Sequence, residues 1–284
     1  MRGQKAPVRG VRIRRWRGGA SERVRDALAV EEPLEMRLAW REPDAGARSE
    51  PIAVTMRTPG SDFELVAGFL HGEGLLPARD ALQELTYCRG ERPGEQAFNV
   101  VEARLRPGLV VDLERLRRNV YTTSSCGVCG KASLEAVEAQ GCTHLGADEL
   151  RVEPELLPEL PGRLRDDQDV FQRTGGLHAA GLFDDAGTLL HADEDVGRHN
   201  AVDKVVGHLF LEDQLPAAGR ILVVSGRASF ELVQKAVAAG IPMLVAVGAP
   251  SSLAVELAER FGMTLVGFAR DGGFNLYAAP DRVR

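Results

Sequence analysis

The second half of the chain alternates short, unbroken apolar runs with stretches whose apolar residues recur every three or four positions. Residues 221–224, 243–247 and 265–268 are runs of the first kind and read as buried strands. Residues 230–239 and 253–261 are of the second kind and read as amphipathic helices. Strands of this type joined by helices imply parallel pairing with right-handed crossovers. Ahead of them, residues 177–183 and 188–192 flank Asp184-Asp185-Ala186-Gly187, the signature of a β-hairpin. Residues 202–210 have helical spacing.

The first half is less regular. Residues 33–40 and 52–57 have strand character. Ser61-Asp62-Phe63-Glu64 reads as a capping box, with the Ser61 and Glu64 side chains each serving the other's backbone. A helix follows through Leu65, Val66, Phe69 and Leu70 and stops near Gly72 and Gly74. Residues 84–88 and 97–105 are further strand candidates, and a helix is expected over 131–139. The reading is an α/β protein. A three-layer α/β/α domain covers residues 146–284, a smaller α+β domain covers 27–120, and a loop with its following helix covers 121–145.

Charge changes the picture at one end. The first 26 residues hold nine Lys/Arg and two Asp/Glu, whereas the remainder holds 26 basic and 39 acidic residues. Residues 1–26 therefore read as a solvated, disordered tail. A nucleic-acid arm is disfavoured, because an acidic body repels phosphates. With 284 residues, 44% of them hydrophobic, the chain can bury a real core. No apolar run approaches the roughly 20 residues that span a bilayer. Four cysteines and no secretory signal point to a reducing cytoplasm.

Candidate chemistry gathers in two places. The loops that leave the three parallel strands share one sheet edge. They are Ser225-Gly226-Arg227-Ala228-Ser229, Gly248-Ala249-Pro250-Ser251-Ser252 and Ala269-Arg270-Asp271-Gly272-Gly273. Helix N-termini favour anions and arginines fork onto phosphate oxygens, so this edge reads as an anion-binding rim. The polar run from Asp193 to Lys204 could add Arg198 and Lys204 to that rim, with His199 or Asn200 capping the helix. Its carboxylates could hold a cation or simply hold those bases.

The second place is Ser124-Ser125-Cys126-Gly127-Val128-Cys129-Gly130-Lys131. A thiolate is the strongest nucleophile a side chain offers near neutral pH. Three functional readings compete. Cys126 and Cys129 with Cys142 and His144 would make a structural zinc site. The pair could be a thioredoxin-like redox motif, although no strong strand leads into it. Or one thiolate accepts a persulfide sulfur and passes it on, helped by Lys131 and the following helix N-terminus. A zinc deaminase is excluded by order: His191-Ala192-Asp193 follows the cysteines, with Asp where Glu is needed.

The longer motifs resemble one family, the formate dehydrogenase accessory sulfurtransferases, or FdhD family. The likeness rests on Arg57-Thr58-Pro59-Gly60, Cys126-Gly127-Val128-Cys129-Gly130, the run from Glu194 to Lys204, the run from Ser225 to Lys235, and Leu265-Val266-Gly267-Phe268-Ala269-Arg270-Asp271-Gly272. The resemblance implies a fold similar to cytidine deaminases and a homodimer. It implies a carrier that takes persulfide sulfur from a cysteine desulfurase. The sulfur goes to molybdenum cofactor in its bis-guanine dinucleotide form, which serves formate dehydrogenase. In this likeness Cys126 carries the persulfide and Cys129 is its partner. Phe268, Ala269, Arg270, Asp271, Gly272 and Gly273 form part of the cofactor site. Ser225, Arg227, Ser229, Arg198 and His199 are candidates for the same site, with no tightly bound metal of the protein's own. Two features fall outside the likeness. Leu177 stands where the family often has Thr, and Cys88 and Cys142 read as packing residues.

Overall fold

The computed structural model describes residues 6–42, 46–88, 98–109, 137 and 142–284. The basic N-terminal stretch is not a disordered tail. Strands β1 (Val8–Arg17) and β2 (Ala20–Ala29) form an antiparallel ribbon around a turn at Gly18 and Gly19, both at positive φ. Alternation was hidden there because arginines occupy both faces.

A four-stranded sheet follows, built from β3 (Glu32–Glu42), β4 (Gly46–Arg57), β5 (Leu82–Tyr87) and β6 (Val100–Leu105) in the order β4-β3-β6-β5. One face is covered by α1 (Asp62–Gly72). Leu34, Met36, Leu38, Trp40, Leu65 and Leu70 form the core between them. Ser61 stands at the N-cap of α1, but the expected capping box is absent. Ser61 sits at φ 50°, makes no cap bond, and donates instead to Asp193 Oδ1 at 2.8 Å.

Two short helices, α2 (Leu160–Asp166) and α3 (Asp169–Thr174), precede the larger sheet, and neither was legible as a periodic run. That sheet comprises β7 (His178–Phe183) and β8 (Leu189–Asp195), then β9 (Ile221–Val224), β10 (Met243–Ala246), β11 (Thr264–Arg270) and β12 (Gly273–Ala278). Its order is β12-β11-β10-β9-β7-β8. Strands β9, β10 and β11 are parallel as expected, with antiparallel β12 on one side and the β7–β8 hairpin on the other. Helices α4 (Arg198–Leu211), α5 (Phe230–Ala238) and α6 (Ser252–Phe261) cover one face. Leu157, Leu160 and Leu164 pack against Phe183, Val223 and Val245 on the other. This gives the three layers.

The two halves meet where α1 crosses α4. A side chain at Gly68 would lie 1.9 Å from the Asp203 carbonyl oxygen, and one at Gly207 would lie 1.8 Å from that of Glu64. Only glycine on both helices allows such an approach. Among the described residues, no helix is long and apolar enough to cross a membrane.

Candidate functional site

The run from Asp193 to Lys204 begins at the end of β8 and enters α4 earlier than its spacing suggested. Arg198 and His199 therefore lie in the first helical turn, and Gly197 holds the N-cap. Asn200 does not cap. Its Nδ2 donates to Asp195 Oδ1 and to the Met56 carbonyl, both at 2.8 Å. Lys204 does not join the rim either. It is buried 2.9 Å from the fully buried Asp195 and donates to the carbonyls of Thr58 and Glu194. Thr58 completes the knot: its N–H donates to Asp195 and its hydroxyl accepts from the Val196 N–H. The polar density of these motifs thus welds the smaller sheet to the larger one. Neutralising each buried charge with a partner is what makes such burial tolerable.

The carboxyl ends of β9 and β11 open into a cleft of about 790 Å³, within the usual range for small-molecule sites. Ser225, Val247, Ala269, Arg270 and Asp271 form one wall; Arg165, Phe171 and Leu177 belong to the other. A bulge at the end of β11 shapes the first wall. Pairing with β12 shifts register between Gly267 and Arg270, and Phe268 sits at φ 55°. Such bulges re-aim side chains, and strained positive φ at a non-glycine clusters at functional sites. Arg270 is exposed, with its guanidinium 5.8 Å from the Phe268 ring centre. Asp271 and Gly272, both at positive φ, turn the chain into β12 at Gly273.

The remaining predicted residues separate from the cleft lining. Arg227 is exposed and its stem packs over Gly248. Arg198, His199 and Ser229 form a polar group where α4 and α5 begin. His199 Nε2 lies 2.9 Å from Glu231 and 3.4 Å from the Ser229 hydroxyl. The hydrogen bond from His199 holds the Glu231 carboxyl down to about 2, aided by the nearby charges of His199 and Arg198. The Nε atom of Arg198 is buried without a hydrogen-bond partner among the described residues.

The strand-end loops are also less open to a ligand than their glycines implied. Gly248 N–H bonds to Gly226, Ser251 to Ala228 and Phe268 to Gly248, so these backbone donors are already used. The anion handles of the cleft are guanidinium groups, Arg165 and Arg270.

Two cleft residues were missed in the sequence. His178, at the start of β7, faces Ser225 and Gly226. Burial, then the charges of Arg198 and His199, pushes its imidazole below the ordinary value, so it is neutral near pH 7. Arg165 stacks near Phe171, 5.6 Å from its ring centre. Neither lies in a glycine-rich strand-end loop of the kind that marked the other wall.

Cys126 and Cys129 lie outside the described residues. Cys88 and Cys142 are free thiols, both pushed up by burial. Cys142 packs against the core that also buries Val137, which fits a packing role.

Comparison with known proteins places this architecture. The FdhD/NarQ family model matches residues 29–284. The chain belongs to that family. It is 54% identical over 274 residues to the sulfur carrier protein FdhD of Streptomyces avermitilis, a match covering 96% of this chain and 94% of the relative. The FdhD protein of Mycobacterium tuberculosis is 50% identical, covering 91% and 92%. That of Sulfurisphaera tokodaii is 41% identical, covering 97% and 99%. Among solved structures, a protein from Desulfotalea psychrophila provisionally assigned as a formate dehydrogenase accessory protein matches with a TM-score of 0.74 and 23% identity. That match covers 98% of this chain and 100% of the other. At that identity the likeness supports the fold.

Proposed function

We propose that this FdhD/NarQ protein is a sulfur carrier that accepts sulfur as a persulfide and delivers it to a phosphate-bearing molybdenum cofactor held in the cleft. The observation that carries this reading is the cleft itself. It has the size for a nucleotide-bearing ligand, arginines on two walls, and a position at the carboxyl ends of parallel strands, where α/β sheets bind ligands. The names of the relatives support the sulfur half.

In the first step the Cys126 thiolate attacks the outer sulfur of a persulfide on a cysteine desulfurase. The donor's S–S bond breaks, its cysteine leaves as thiolate, and Cys126 holds the persulfide. In the second step the Cys129 thiolate attacks the inner sulfur. A Cys126–Cys129 disulfide forms and the outer sulfur leaves at the sulfide level, available to the metal; an external thiol then reduces the disulfide. The cargo cofactor, in bis-guanine dinucleotide form, would be held through its phosphates by Arg270 and Arg165. Arg227, Ser229, Arg198 and His199 stand around the cleft rather than in it. Neutral His178 can accept or return a proton as sulfur departs. The recipient would be formate dehydrogenase, with the carrier acting as a cytoplasmic homodimer.

A zinc staple is the weaker reading. His144 is exposed and its Nδ1 already accepts the Gly146 N–H at 3.0 Å, while Cys142 faces the core. Calorimetric titration with GDP tests the cleft. Arg270→Ala should weaken binding about tenfold, as expected for loss of a charge-assisted phosphate contact. Unchanged affinity would remove the cleft from the account.

A further inference from the structure

Apart from Ala29, the β1–β2 ribbon lies ahead of the residues matched by the family model, and its two faces differ sharply. Residues directly opposite in an antiparallel pair share a face. On one face Ile13 opposes Val24, Arg15 opposes Glu22 and Val11 opposes Asp26. On that face Val11, Ile13 and Val24 are half-buried, and acidic residues stand among the arginines, Arg15 reaching Asp26 at 3.9 Å. On the other face Arg12 opposes Arg25 and Arg14 opposes Arg23, with Trp16 next in line opposite Ser21.

All four of these arginines are exposed, and no acidic residue occupies their face of the ribbon. Trp16 is 67% exposed. Like charges placed directly across a ribbon destabilise it, and an exposed tryptophan adds nothing to the fold. Strand β2 packs on α3, which supplies Phe171 to the cleft wall, and a side chain at Gly176, also in the cleft lining, would lie 3.8 Å from the Ala29 Cβ.

We infer that the Arg12–Arg14–Arg23–Arg25 face, with Trp16 as its anchor, is a docking surface for an acidic segment of a partner protein. Arginine and tryptophan are the residue types that dominate protein–protein hot spots. Guanidinium groups in two cross-strand rows match paired carboxylates on an extended or helical segment. The patch is compact, about two residues long and two strands wide, or roughly 7 by 5 Å between α-carbons. A nucleic acid would run past it onto a body that is acidic beyond residue 26. The inference rests on the ribbon alone and holds whatever the cleft binds.

The full-length chain offers a direct readout. Of its two tryptophans, Trp40 is buried, so emission quenched by acrylamide reports Trp16. A short peptide alternating glutamate and valine should shield Trp16 and bind in a salt-sensitive manner. Arg14→Gln/Arg23→Gln should weaken that binding about tenfold, whereas Arg9→Gln/Arg17→Gln, with the same loss of charge, should leave it within about twofold. The first variant should melt no lower than the parent, because a repulsive pair has been removed. Four results would overturn the inference. They are equal loss in both variants, no shielding of Trp16, a lower melting temperature for the first variant, or tighter binding of duplex DNA on the same face.

Discussion

Glu231 sits in the first turn of α5 with its carboxylate 2.9 Å from His199 and 3.2 Å from the Ser229 hydroxyl. Folded, it takes a proton only near pH 2; unfolded, it does so in the ordinary carboxylate range near 4.3. Its contribution to stability is therefore complete above that ordinary value and is lost as pH falls toward 2. Because the side chain is 56% exposed, solvent screens the pair. Glu231→Gln should lower the melting temperature by about 1–2 °C at pH 6. That difference should shrink as pH falls below about 4.3 and vanish only below about pH 2. A deficit independent of pH would show that the carboxylate is not held this way. Individual site residues were legible where a strand ran straight into them, as at Ser225 and Arg270. His178 was not, because it opens a hairpin strand whose pattern speaks only of burial. Arg165 was not, because α2 is too short to show a period.

At the level of elements, the glycines of α1 and α4 and the buried Asp195–Lys204 pair do the same work by different means. The glycines let two backbones touch, and the ion pair fixes the strand end against the loop at Thr58. Gly207→Ala would drive a methyl group into the Glu64 carbonyl, costing about 3 kcal/mol, the upper end of ordinary overpacking. Lys204→Met would leave Asp195 buried without its cation and cost about 3–5 kcal/mol. Urea unfolding midpoints check both. A Lys204→Met protein as stable as its parent would mean that the polar motif is not the weld described. Strands β9 to β11 and their helices were legible because continuous apolar runs and 3.6-residue periods each have one physical origin. The capping box at Ser61 was misleading because Asp193, distant in sequence, offers its hydroxyl a better partner than the helix backbone does. The ribbon was misread because arginines on both faces hide the two-residue alternation.

For the whole molecule, parallel strands set the cleft, the bulge in β11 aims Arg270, and the weld joins the smaller sheet to the larger one. Among the described residues, the motifs on which the family likeness rests thus divide into two kinds. Some residues brace the fold, as Thr58, Asp195, Asn200 and Lys204 do. Others line the cleft, as Ser225, Ala269, Arg270 and Asp271 do. Sequence alone marked both kinds as polar and dense; only burial and partners separate them. The proposed sulfur step rests on Cys126, and mass spectrometry tests it most directly. After incubation with a cysteine desulfurase and free cysteine, the peptide containing Cys126 should gain about 32 Da, one sulfur atom, and lose it to cyanide. In Cys126→Ala no peptide should carry that adduct. The same gain on a Cys126→Ala protein would contradict the account.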